Sequence, residues 1–117
     1  MKDYAAIKDG FDTGYADLSE TIPDTAAAFG KLIEEATRAG TLTVKTKELI
    51  AFAIAIAVRC DGCIAHHAQA VLHAGATRQE VAEMIGVAVL MGGGPSAVYG
   101  VEALRAFDAF NHQPGRG

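Results

Sequence analysis

Residues Glu48 to His67 read ELIAFAIAIAVRCDGCIAHH: a carboxylate opens an apolar run, and both cysteines of the chain, with a histidine, open the next segment. Cys60-Asp61-Gly62-Cys63 is a C-x-x-C. If its second half is helical, Cys63 and His67, four apart, share one face a single turn from each other. That spacing sets a thiol beside a base. The thiolate is the nucleophilic form, and its free pKa of roughly 8.5 falls at a helix N-terminus or beside a His. Two sulfurs so spaced also close a small ring, so an oxidised cysteine is resolved by the other as a disulfide before irreversible acids form.

Glu48 lies twelve positions before Cys60. A chain reversal near Arg59, at about 1.5 Å per helical residue, puts Glu48 roughly 15 Å back along one helix and His67 roughly 10 Å along its antiparallel neighbour. Side chains lean toward their own helix N-termini, which moves these two apart, so a bridging water is expected as readily as a direct contact. Other uses of the cysteines stay open at this point. A C-x-x-C with His66 or His67 suits half of a zinc site, although no second C-x-x-C supplies the ligands that structural zinc usually takes. Haem attachment needs His directly after the second cysteine, where Ile64 stands.

With 117 residues the chain is read as one domain, residues 1–117. Half of it is hydrophobic and only 21% is charged, with a mean hydropathy of +0.20. A small soluble monomer carries more surface charge than this, so an oligomer with buried helical faces is expected. A net charge of −4 and a pI near 5.4 exclude a basic nucleic-acid footprint. No apolar core with a cleavage site follows the polar start MKDYAAIKDGFDTG, and the apolar run Leu49 to Val58 is about half of the roughly 20 residues a spanning helix needs. The expectation is a cytoplasmic protein without a membrane partner.

Periodicity gives an all-α chain of about six helices around a central hairpin, Lys45 to Ala74. Tyr4, Ile7, Phe11, Tyr15 and Leu18 have helical spacing interrupted by Gly10 and Gly14. Pro23 and Asp24 start a helix to about Arg38, striped by Ala28, Phe29, Leu32, Ile33 and Ala36. Its Glu34 and Glu35 are spaced to pair with Arg38 and Lys31. Thr43 caps the next helix, apolar all round from Leu49 to Val58 and hence expected to be buried on every side. That makes Glu48 a candidate for a partly buried carboxylate with a purpose, with an ordinary i,i+4 or capping role as the alternative reading. The helix after the C-x-x-C runs to about Ala74, with Gly75 as a left-handed cap. His66 points about 100° away from His67. Thr77-Arg78-Gln79-Glu80 is a capping box for a helix to Met91, with Val81, Ile85, Ala88 and Val89 facing the core. Gly92-Gly93-Gly94 lacks the Lys-Ser/Thr of a phosphate loop and marks close packing. Pro95 or Ser96 opens a last helix through Phe110, in which Tyr99 is assigned to packing, and the tail NHQPGRG is expected to fray.

Glu48, Cys60, Cys63 and His67 at these separations, followed by AVLHAGATRQEVAEMIGVAVLMGGGPSAVYG, resemble the AhpD-like branch of the carboxymuconolactone decarboxylase family, over about Leu42 to Phe110. The resemblance implies an AhpD-like helical bundle that assembles as trimers or hexamers. It implies a proton relay of Glu48, Cys60, Cys63 and His67 for thiol-dependent peroxide reduction, with Cys60 and Cys63 as the redox-active disulfide. Better-studied alkylhydroperoxidases of this type carry a further His where this chain has Gly62.

The leading function is a thiol peroxidase or disulfide reductase, with a peroxide substrate and an external dithiol, thioredoxin-like or lipoyl donor, and with no bound cofactor or metal required. Decarboxylation of a muconolactone-like acid is the second enzyme reading, and a non-catalytic redox-responsive or zinc-holding module the third. Helix-terminus logic makes Cys60 the attacking sulfur, but that effect is only about 0.3 to 1 kcal/mol when exposed. A base one turn from Cys63 outweighs it, and the resemblance points the same way. Cys63 is therefore assigned as nucleophile and Cys60 as its resolving partner.

Overall fold

Six helices and no strand make up the described residues, 2–112, of the computed structural model. The expected frayed tail falls largely on residues 113–117, outside that range. Helix α1, Tyr4–Thr21, starts where the Asp3 carboxylate accepts the Ala6 N–H. It runs unbroken through Gly10 and Gly14, where an interruption was expected. Each glycine costs about 1 kcal/mol against alanine, too little to break a helix that is capped and has Tyr4 buried at its start.

Helix α2, Pro23–Thr37, begins with Pro23 and has no buried residue. Its apolar stripe lies open, with Leu32 61% exposed. Glu35 takes both basic neighbours, Lys31 at 3.0 Å and Arg38, in place of the expected Glu34–Arg38 pair. Arg38 is the C-cap, with extended backbone.

The hairpin at the centre is α3, Val44–Ala57, and α4, Asp61–His73. Thr43 caps α3 through the Thr46 N–H. Only Glu48, Phe52, Ala55 and Ile56 of α3 are buried, while Ile50 and Ile54 are open. Burial on every side is thus not achieved within one chain, because α4, α5 and α6 pack on α3 while α2 barely touches it, which leaves Ile50 and Ile54 uncovered. Arg59 reverses the chain with φ +57, the one non-glycine with positive φ among the described residues. Its N–H donates to Ile56 O and that of Cys60 to Ala55 O, closing the end of α3.

Helix α4 is the axis of the fold. Ile64, Ala65, Ala68 and Val71 are fully buried against α1, α3 and α6. Gly75, φ +89, ends its turn. Helix α5, Arg78–Gly92, carries the full Thr77/Glu80 capping box; Val81 and Ala88 are buried and Ile85 packs against the core, while Val89, expected to face it, is half-buried and lies outside that cluster. Helix α6, Gly94–Asn111, buries Phe107 and Phe110 but leaves Val98 and Val101 exposed. A large apolar side chain taken wholly out of water contributes about 1.5 to 3 kcal/mol, so Phe52, Ile56, Ile64, Phe107 and Phe110 hold the bundle around α4. Of the glycine run only Gly92 makes the expected close contact, where a Cβ would lie 1.9 Å from Ser96 Oγ; Gly93 instead supplies a positive φ of 68, and Gly94 has open space beside it. None of these helices is long and apolar enough to cross a membrane, among the described residues.

Candidate active site

The turn at Arg59 places Cys60 as the N-cap of α4, where its Sγ accepts the Cys63 N–H at 3.2 Å. A sulfur in this position meets the unsatisfied N–H groups and partial positive charge of the helix start. The two cysteines are joined as a disulfide, with Cα atoms 5.2 Å apart.

One turn along α4, His67 meets Glu48 of α3 directly, Nδ1 to Oε1 at 2.8 Å. No bridging water is needed. Glu48 is only 8% exposed; as a carboxylate it only accepts, and Nδ1 then carries the hydrogen and donates. The neutral ring then keeps Nε2 as its free basic nitrogen. Cys63 and His67 together wall a cleft of about 230 Å³ whose remaining lining is Ala51, Ile54, Ala55 and Val58. Cys60 is not part of that wall. The expected quartet of Glu48, Cys60, Cys63 and His67 is thus brought together by the α3/α4 hairpin alone.

His66 keeps an exposed surface and stands edge-on to the His67 ring, centroids 4.8 Å apart. Partial burial, then the neighbouring His67 and Lys8, lower its pKa. A larger groove of about 500 Å³ lies between Lys2, Tyr4, Arg105 and His112. It contains no thiol, and the chemistry rather than the volume selects the smaller cleft. Among the described residues no three His, Cys, Asp or Glu side chains are grouped to hold a metal ion.

Two contacts beside the cysteines escaped the sequence reading. Lys2 Nζ lies 2.9 Å from Asp61 Oδ1, inside the C-x-x-C, and 5.1 Å from the centre of the Tyr99 ring. Nothing local signals this, since Lys2 and Asp61 are 59 residues apart. Tyr99 packs at the edge of the core, as assigned.

A cysteine pair at a helix start, a carboxylate-oriented imidazole and an apolar cleft form a constellation suited to thiol chemistry. Comparison with known proteins identifies the family. The model of the carboxymuconolactone decarboxylase family matches residues 23–106. The crystal structure of an apo carboxymuconolactone decarboxylase family protein from Legionella pneumophila superposes with a TM-score of 0.90 and 44% identity, covering 92% of this chain and 96% of that one. An uncharacterised protein of Cupriavidus necator is 40% identical over 94 residues, 80% of this chain and 83% of the relative. A protein described as uncharacterised protein 4 in the cox locus of Paracoccus denitrificans is 36% identical over 69 residues, 59% of this chain and 62% of its own. The chain, an all-α bundle built on an AhpD-like hairpin, belongs to the carboxymuconolactone decarboxylase family.

Proposed function

We propose that the protein is a thiol-dependent peroxidase and disulfide reductase that cycles Cys60 and Cys63 between dithiol and disulfide. The observation that carries this reading is the shared wall of Cys63 and His67 in one cleft, with His67 held by Glu48.

In the reduced protein, His67 Nε2 takes the Cys63 thiol proton, and Glu48 stabilises the imidazolium that results. The Cys63 thiolate attacks the terminal oxygen of a hydroperoxide and breaks the O–O bond. A cysteine sulfenic acid forms, and the departing alkoxide takes the proton held by His67 to leave as alcohol. The Cys60 thiol then condenses with the sulfenic acid; an S–S bond forms and water leaves. An external dithiol, thioredoxin-like or lipoyl in type, transfers two electrons and two protons to the disulfide and departs oxidised. A general base of this kind contributes about 10²- to 10⁴-fold.

The cycle needs no bound cofactor and suits a cytoplasmic setting, where donor thiols are kept reduced. The exposed stripe of α2 and the open side of α3 support a homo-oligomer, trimeric or hexameric. Decarboxylation of a muconolactone-like acid has the family description in its favour, but it gives the cysteine pair no task.

Peroxide consumption measured with a panel of dithiol donors tests the proposal. Turnover that depends on donor and on both cysteines is expected. Absence of turnover with every donor, or turnover retained in Cys63→Ser, overturns it.

A further inference from the structure

The only carboxylate inside the C-x-x-C is Asp61, and it does not stand alone. Lys2 holds it at 2.9 Å while lying over the Tyr99 ring. Two residues on, Tyr4 is buried and its hydroxyl donates to Glu102 Oε2 at 3.1 Å. Anchoring Tyr4 at the start of α1 fixes where Lys2 reaches. The segment before α1, the first turn of α4 and the middle of α6 therefore converge beside the cysteines, through groups for which the Glu48–His67–Cys63 relay has no use.

We infer that Lys2 is a positioning residue for the thiol chemistry: it neutralises Asp61 at the start of α4 and so sets how readily the Cys60–Cys63 disulfide is reduced. The inference rests on the proposed redox cycle of these cysteines. A carboxylate in a first helical turn favours the helix, yet the same charge opposes a thiolate one or two residues away. Pairing with Lys2 keeps the first effect and cancels much of the second. Tyr99 contributes a cation–π contact, and Asp61, followed by Tyr99 and Glu102, keeps the Lys2 ammonium charged.

In the exchange that tests this, a donor dithiol gives two electrons and two protons to the disulfide. Cys60 and Cys63 become thiols and the donor becomes a disulfide; at pH 7 a fraction of the new thiol at the start of α4 releases its proton to the buffer, and it is this thiolate fraction that Asp61 opposes and Lys2 favours. Lys2 and Asp61 are each about two-fifths exposed, at 40% and 39%, so the effect is that of a surface pair.

The experiment equilibrates the protein with a dithiothreitol redox buffer at pH 7 and measures the thiol–disulfide equilibrium constant. The alkylation rate of the reduced form and the Tm are recorded alongside. Lys2→Met keeps the stem over Tyr99 and removes the charge; it is expected to make the disulfide about two- to fivefold harder to reduce, about 9 to 21 mV, and to slow alkylation. Asp61→Asn leaves Lys2 unopposed and shifts both readouts the other way. The double variant returns close to the parent, and 1 M salt shrinks all the differences. A strap that merely stabilises the fold lowers Tm in both single variants without opposite shifts in the equilibrium constant. No shift, or shifts of the same sign, overturns the inference. Failure of the parent disulfide to exchange with the buffer at all would instead overturn the redox cycle itself.

Discussion

His67 donates to Glu48 across 2.8 Å although 19 residues separate them in the chain. The contact exists because α3 and α4 are antiparallel and the turn through Arg59 is short enough to set their facing sides in register. Glu48→Gln keeps an oxygen to accept from Nδ1 but loses the charge that stabilises an imidazolium; His67→Ala removes the base. Each is expected to slow thiolate reactions near neutral pH, by about 10²- to 10⁴-fold for loss of the base. Stopped-flow peroxide reduction, with circular dichroism to confirm the helices, checks this. Losses under about threefold in both would return the pair to a structural role.

Arg59 and Gly100 are expected to respond to substitution in opposite ways. Arg59 has φ +57, a conformation that costs an L-residue roughly 1 to 2 kcal/mol and a glycine little. Arg59→Gly is therefore expected to keep or slightly raise stability, since glycine's extra unfolded-state entropy offsets about 0.5 to 1 kcal/mol of the gain. At Gly100 a Cβ would meet Ile85 Cγ2 at 2.6 Å. Gly100→Ala is expected to destabilise by about 1 to 3 kcal/mol despite alanine's better helix propensity. Urea midpoints of the two variants measure both effects.

Acid is expected to weaken the fold in two stages. His66 has a pKa lowered from 6.5 by partial burial and then by His67. The unfolded chain takes up this proton first, so stability is full above about pH 6.5 and declines below it. Glu80 has a pKa lowered from 4.5 by Lys45 and the Thr77 backbone N–H. Its contribution is present above that value and is lost as pH falls through the folded pKa. Melting curves from pH 8 to pH 3 should show both arms. His66→Gln should flatten the first, and Lys45→Met should weaken the second.

Helix α2 has an apolar stripe and no buried residue, with Phe29, Leu32 and Ile33 all more than two-fifths exposed. A trimer or hexamer is expected in sedimentation at micromolar concentration, and Leu32→Glu is expected to shift it toward smaller species. A monodisperse parent monomer would contradict the assembly.

Much of this was legible in the sequence because it is local. The Thr77/Glu80 capping box, the left-handed Gly75 and the i,i+4 placement of Cys63 and His67 follow from short-range rules. Glu48 was found as a charge at the edge of an apolar helix. The continuity of α1 was missed because anchoring of Tyr4 outweighs two glycines. The exposure of Ile50 and Ile54 was missed because an apolar helix does not say how much of its surface the chain's own helices cover. The Lys2–Asp61 pair depends on how the chain's start meets α4, which no periodicity encodes.

The cycle is tested most directly by one stoichiometric reaction: fully reduced protein is mixed with one equivalent of an organic hydroperoxide, and thiols, disulfide and alcohol are counted, with Cys60→Ser and Cys63→Ser run in parallel. The expected result is loss of both thiols to one intrachain Cys60–Cys63 disulfide per alcohol formed. A sulfenic acid should then be trappable in Cys60→Ser and absent from Cys63→Ser. Two free thiols remaining after oxidation, or crosslinks only between chains, would contradict the cycle. A sulfenic acid in Cys63→Ser alone would show that the start of α4, and not His67, sets the reactivity.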